Sequence, residues 1–348
     1  MPTIRTTCTR DCPDMCAVLA QVEDGRLVRL EGDPAHPTTR GFLCKKTYQY
    51  PSRVYSSQRI LHPLKRSKSG WTRITWEEAL DTLARVMTNL KAQDGPLAVL
   101  HYQSAGSMGL LKALNSRFFN LWGGMTEATG SLCSGAGIAG QLRSYGAIRS
   151  HAPADLLHSR TIVIWGRNPM VTNIHMLPFL KAAKERGATV VVVDPRRSET
   201  VKYADQHVAL KPGGDAYLAI GLAQSLLKQG LVDEAFLASA TAYFVEFQGL
   251  LQRVDPQTVL DKTGMRAAAI DALARLYGTQ RPGSIHLGMG PQRWIAGAGV
   301  FQLIDALAAM TGNIGVPGGG VNYSSRLPSL IDQSWVADSR AATKRFVL

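Results

Sequence analysis

The cysteines constrain this chain more than any other feature: four of the five stand within the first 44 residues, as Cys8, Cys12, Cys16 and Cys44. The first three fall at intervals of four in TCTRDCPDMCAV, and the fourth follows after 27 residues. An odd count crowded at one end of a 348-residue chain does not suit a disulfide framework, so metal is the better reading. Four thiolates suit either a tetrahedral structural zinc or a 4Fe-4S cube. Zinc sites usually come as two closely spaced pairs, whereas three successive ligands from one loop suit the separate iron corners of a cube, so the spacing favours iron and sulfur. Between Cys16 and Cys44, AVLAQVEDGRLVRLEGDP alternates apolar and polar residues about Asp24-Gly25. That pattern predicts a hairpin that brings Cys44 back over the cysteine loop.

The chain is long enough for two or three domains, and 45% hydrophobic against 19% charged residues is ordinary globular composition. With 39 Lys plus Arg against 26 Asp plus Glu, the net charge of +13 calls for an anionic partner. No basic stretch has interleaved aromatics, so nucleic acid is not expected. No run of eighteen apolar residues exists and Cys8 leaves no room for a signal peptide, so neither a direct membrane span nor export is expected and the location read from the sequence is cytoplasmic.

RITWEEALDTLARVMTNLKAQDG predicts a helix that starts at a Thr75 cap with Glu78 three residues on and stops at Gly95-Pro96. Its apolar positions, among them Leu80, Leu83, Val86 and Leu90, predict a core helix. PLAVLHYQ predicts a buried strand, and the small residues of SAGSMGLL after it could admit a phosphate near the backbone. LKRSKSGW predicts a basic loop. From residue 161 the pattern becomes strand (TIVIWGRNP), helix (MLPFLKAAKERGA) and strand (TVVVVDPRRSET). Continuous Val and Ile runs belong to parallel sheets covered on both faces, where ligands bind at the carboxyl ends of the strands. No strand of this region is followed by G-x-G-x-x-G, which is missing from residue 161 onward, so an ordinary NAD site is not expected there.

GFLCKK, the small-residue stretch ATGSLCSGAGIAG around Cys133, W-G-x-N-P, D-P-R, P-G-x-D and GNIGVPGGG follow one another from Cys8 to Gly320. Together they resemble the molybdopterin-guanine-dinucleotide oxidoreductases of the dimethyl sulfoxide reductase family, in the thiolate-ligand, 4Fe-4S-containing type. The resemblance implies an α/β chain, with a small iron-sulfur β domain followed by doubly wound α/β cofactor-binding domains. The expected boundaries are 1–55 for the 4Fe-4S domain, 56–150 plus 290–348 for an incomplete α/β domain, and 151–289 for a Rossmann-like guanine-dinucleotide domain. The C-terminal β-barrel that binds the other pterin in the family is expected to be absent.

Carried over residue by residue, the resemblance gives Cys8, Cys12, Cys16 and Cys44 to the 4Fe-4S cluster. It gives Lys46 to the path between cluster and pterin, and Cys133, with Ala139-Gly140 beyond it, to molybdenum or tungsten. Gly166 and Asn168 would line the nucleotide, Asp194 would lie by the ribose, and Arg196 would meet phosphate. Asp215 would take the paired N–H donors of guanine, and Gly288, Gly290 and Gln292 would touch the cofactor. Two positions depart from the pattern: Thr47 stands where the family usually has glycine, and Ser134 where formate dehydrogenases have histidine, so formate oxidation is not implied. The function implied is the N-terminal portion of a bis(molybdopterin guanine dinucleotide) enzyme acting on a small-molecule substrate, with an iron-sulfur or cytochrome subunit as electron partner. The competing expectation is a non-catalytic iron-sulfur electron-transfer or assembly module, and the 348-residue chain alone is expected to be inactive.

Overall fold

The computed structural model of the chain describes residues 2–106, 109–324, 332, 334–336 and 343–347. Ser107 and Met108 of the predicted phosphate-admitting loop lie outside the described residues. The chain divides into two compact units, residues 1–130 with 328–348, and residues 131–327.

The first unit opens with an antiparallel sheet of β1 (Thr3–Thr7), β2 (Ala17–Glu23) and β3 (Arg26–Gly32) in that order. The predicted hairpin is there: Asp24 and Gly25 both take positive φ, 46° and 74°, as a tight turn matched to strand twist requires. Alternate residues Val18 and Ala20, with Leu30 opposite, form a small core that also takes in Cys16 and Leu43. Two short helices follow, α1 (Lys45–Tyr48) and α2 (Tyr50–Val54). The expected basic loop is instead a two-stranded hairpin, β4 (Leu64–Ser67) and β5 (Gly70–Arg73), which turns at Lys68-Ser69.

The long helix α3 (Trp76–Asp94) starts at Thr75, whose side chain accepts from the Glu78 amide at 3.1 Å. The Glu78 carboxylate does not close the box but pairs with Lys65 at 3.0 Å. The helix was predicted as core, yet no residue of it is buried, and Leu80 and Leu83 are 57% and 59% exposed. The stripe has the helical period, but nothing among the described residues buries it. Beyond it come β6 (Leu100–His101), α4 (Leu114–Trp122) and β7 (Gly124–Ala128). The strand predicted in PLAVLHYQ shortens to two residues, and Leu100 is exposed among the described residues.

The second unit begins with α5 (Gly135–Tyr145), then β8 (Thr161–Trp165), α6 (Pro169–Thr172), α7 (Met176–Glu185), β9 (Thr189–Val193) and β10 (Gln206–Val208). Five helices, α8 (Asp215–Lys228), α9 (Glu234–Ala240), α10 (Phe244–Gln252), α11 (Pro256–Thr263) and α12 (Ala267–Thr279), then precede β11 (Gly283–Leu287). Then come α13 (Gly297–Met310) and β12 (Val321–Asn322). The chain returns to the first unit as β13 (Thr343–Val347), which pairs in parallel with β7 in a sheet ordered β13-β7-β6.

The sheet of the second unit runs β10-β9-β8-β11-β12, every pair parallel. Because side chains alternate, Ile162, Ile164, Val190 and Val192 pack on α7, while Val163, Trp165, Val191 and Leu287 face α8, α12 and α13. Both faces are therefore apolar and covered, which is why β8 and β9 read as unbroken hydrophobic runs. Strand order reverses at β8, with β9 on one side and β11 on the other, so the carboxyl ends of β8 and β11 flank the crevice where doubly wound sheets take ligands.

Candidate functional site

In the first unit, β1 and β2 stop pairing at Thr7 and Ala17, and the Cys8 amide donates to the Cys16 carbonyl at 2.9 Å. The cysteine loop is thus closed at its base. Cys44 reaches it because the 33–43 segment folds back on β3. Gly32 is pressed against Gly41 so closely that a Cβ would lie 2.5 Å from its carbonyl carbon. Arg5 holds the buried Asp33 carboxylate at 2.6 Å, fixing the start of that segment.

None of the five cysteines is joined in a disulfide. The Thr47 hydroxyl lies 3.6 Å from the Cys8 sulfur and 3.4 Å from the Cys44 sulfur, so those two sulfurs are at most about 7 Å apart, near the span of a cube with thiolate corners. Burial pushes the Cys12 thiol up to about 11, with Asp14 and Cys44 adding to the shift. Burial likewise pushes Cys16 up to about 12, reinforced by Asp14 and by the charges of Cys8, Cys12 and Cys44. Cys44 also feels desolvation most, but the Thr47 hydroxyl, the Thr47 and Lys46 amides and the Lys46 ammonium outweigh it and lower its pKa. Two buried thiols held protonated, Cys12 and Cys16, beside a third whose anion is favoured make a site that gains from cationic charge. Among the described residues, no three His, Cys, Asp or Glu side chains close on a point as a single metal ion requires.

In the second unit the acids and glycines singled out from the sequence meet at the carboxyl end of the sheet. Gly166 takes φ 58°, and a Cβ on Gly288 would lie 1.8 Å from the Gly166 carbonyl oxygen. These two glycines are needed first by each other, because the loops after β8 and β11 touch backbone to backbone. Gly290 sits beside the same carbonyl with room to spare. The Asn168 amide is engaged within the chain, accepting from Thr200 at 2.7 Å and donating to Glu199 at 2.6 Å. Arg196 donates to Glu199 at 2.9 Å, and its amide donates to the Asp194 carboxylate at 2.8 Å.

Asp215, at the first turn of α8 and 8% exposed, accepts the Trp165 indole N–H at 2.7 Å. Desolvation raises its pKa, and Asp194 adds to the shift against the opposing indole bond. Two carboxylates that repel one another at a crevice are an acceptor pair for a ligand rich in N–H and O–H donors.

Cys133 lies on the loop before α5, half-buried, its thiol donating to the Met289 thioether at 3.9 Å. Gln292, 6% exposed, spans this loop: its Nε2 donates to the Cys133 carbonyl at 2.7 Å and its Oε1 accepts from the Gly137 amide at 2.7 Å. Arg293 donates to the Leu132 carbonyl and reaches the Met289 sulfur at 3.8 Å. Gln292, expected to touch cofactor, holds the Cys133 loop with both ends of its amide. Sequence reasoning missed Thr47 as a sulfur contact, Trp165 on Asp215, and Met289 and Arg293. Only the Thr47 departure left a signal, because the others meet their partners across long stretches of chain.

Four thiols gathered in one unit and a doubly wound crevice with paired acids in the other define a metal-sulfur and dinucleotide-cofactor class of protein. The chain belongs to the molybdopterin oxidoreductase family: the family profile of that description matches residues 59–342, and the profile of the molybdopterin oxidoreductase Fe4S4 domain matches residues 1–56. It is 37% identical over 321 residues to the probable oxidoreductase YyaE of Bacillus subtilis (strain 168), covering 92% of this chain and 48% of that protein. It is 29% identical to formate dehydrogenase H of Escherichia coli (strain K12), covering 89% of this chain and 45% of that one. Among solved structures it is similar to acetylene hydratase from Pelobacter acetylenicus, with TM-score 0.73 and 26% identity over 91% of this chain and 44% of that chain. The chain spans about half the length of the relatives it matches.

Proposed function

We propose that the chain is the N-terminal, cofactor-holding portion of a molybdenum or tungsten bis(molybdopterin guanine dinucleotide) oxidoreductase catalytic subunit. The observation that supports this reading is the pair of separate centres: thiols that influence one another in one unit, and the Asp194 and Asp215 pair at the carboxyl end of the sheet in the other. In this reading Cys8, Cys12, Cys16 and Cys44 hold a 4Fe-4S cluster, and Lys46 supplies positive charge beside it. Asp215 accepts the paired donors of guanine, Asp194 the ribose hydroxyls, and Arg196 faces phosphate once freed from Glu199. Cys133 offers a soft thiolate to the metal. When bound, the metal centre supplies two-electron chemistry on a small-molecule substrate and the cluster passes electrons singly.

The organisation we propose is a 4Fe-4S domain over 1–55, an α/β domain from 56–150 plus 290–348, and a guanine-dinucleotide domain over 151–289. An iron-sulfur or cytochrome subunit takes or delivers the electrons, in the cytoplasm. Among the described residues no helix is long and apolar enough to cross a membrane. Relatives about twice as long supply the occupant we propose for the uncovered face of α3, namely the remainder of such a chain. Metal analysis of the anaerobically purified longer protein tests the reading: iron together with molybdenum or tungsten supports it. Iron alone would indicate an electron-transfer or assembly module, and zinc would overturn both.

A further inference from the structure

Thr47 is buried, 1% exposed, and its hydroxyl oxygen stands 3.4 Å from the Cys44 sulfur and 3.6 Å from that of Cys8. Its position is well fixed. The Thr47 amide donates to the Cys44 carbonyl at 3.0 Å at the start of α1, and a β-branched side chain has few rotamers in a helical turn. Neither sulfur keeps a proton once it is a metal ligand, so the hydroxyl becomes the donor in both contacts. Having one hydrogen, it donates to one sulfur at a time. The Tyr50 hydroxyl is the next group near the Cys8 sulfur, at 3.9 Å.

We infer that Thr47 raises the reduction potential of the cluster held by Cys8 and Cys44, by donating a hydrogen bond to a ligand sulfur. The inference rests on the 4Fe-4S reading above. On reduction the cluster gains one electron, no covalent bond forms or breaks, and the proton stays on the Thr47 oxygen. The added charge is shared with the ligand sulfurs, so a bond to an ionised acceptor strengthens and the reduced form gains more than the oxidised one. Burial keeps water from taking the place of the hydroxyl. Glycine, usual at this position in the resembled family, has no such donor, so this device belongs to this chain.

The test is an anaerobic, dithionite-driven redox titration of the full-length enzyme followed by electron paramagnetic resonance. T47V keeps the shape and removes the donor. At the potential where the unsubstituted cluster is half reduced, its reduced-to-oxidised ratio should fall about tenfold, a 59 mV lowering for one electron. T47S should stay within about threefold of the parent, and an exchangeable-proton coupling present in the parent and in T47S should be missing from T47V. Should T47V fail to retain iron, T47A against T47S reads the same difference. Equal potentials for the donor-bearing and donor-free variants overturn the inference while leaving the cluster in place. Zinc in place of iron overturns the cluster reading as well.

Discussion

Cys133 and Gln292 show how one residue can serve another. A thiol on a glycine-rich loop would wander without support, and the buried part of the support here is one amide that binds the Cys133 carbonyl and the Gly137 amide at once. Q292L should leave both groups without partners, costing about 2 to 4 kcal/mol of stability in a denaturant titration. It should also speed labelling of Cys133 in the metal-free protein, read by mass spectrometry at that residue. Unchanged labelling would show that the contacts from Arg293 and Ser131 hold the loop without Gln292. C133A in the longer enzyme should abolish turnover and leave the iron content unchanged, and loss of iron as well would point to misfolding.

Helices α5 and α13 pack around a buried carboxylate. Asp305 on α13 accepts from Gln141 Nε2 at 3.3 Å, but its Oδ2 and the Gln141 Oε1 have no hydrogen-bond partner. Desolvation pushes its pKa up to about 6, against the bonds from Ser144, Gln141 and Tyr145. A carboxyl raised above its unfolded value of about 3.9 stabilises the fold fully below that value and loses the contribution as pH rises through about 6. His286 works in the other direction: burial, then Arg167 and His151, press its pKa down to about 3, so its contribution is lost as pH falls below about 6.5. Comparing D305N with the parent cancels the histidine. D305N should be more stable by about 2 to 3 kcal/mol at pH 7.5, with the gap closing towards pH 4, in denaturation series at several pH values. At the end of the sheet, G288A should melt far below the parent, because a Cβ cannot sit 1.8 Å from the Gly166 oxygen.

At the scale of the molecule, the exposed stripe of α3 and the apolar cleft beside it, with Ile60, Leu61, Trp71 and Trp76, make a surface that a stable solitary protein would not show to water. Under the proposed organisation this face belongs beneath the rest of a longer chain. The 348-residue chain expressed alone should self-associate, and L80E with L83E should reduce that association in light scattering. Co-expression with the remaining part of the longer chain should give a soluble, metal-containing protein. A monodisperse, molybdenum-loaded 348-residue chain would overturn the proposal.

The amino-acid sequence by itself determined the elements whose cause is local. The Asp24-Gly25 hairpin, the Thr75 cap and the all-apolar strands β8 and β9 follow from turn chemistry, capping and a two-faced buried sheet, all written within a few residues. The ordered motifs from Cys8 to Gly320 also sufficed to mark the family. What lay outside its reach were contacts between residues far apart: Gln292 with Cys133, Trp165 with Asp215, and Gly288 with Gly166. Periodicity showed that α3 has an apolar stripe, but a stripe does not say whether anything packs on it. Burial is a property of two surfaces and a helix carries only one, so it was the tertiary structure that decided α3 stands uncovered here. The same physics explains Thr47: its identity was visible as a departure from a pattern, but only folding placed one hydroxyl between two sulfurs 36 residues apart in the chain.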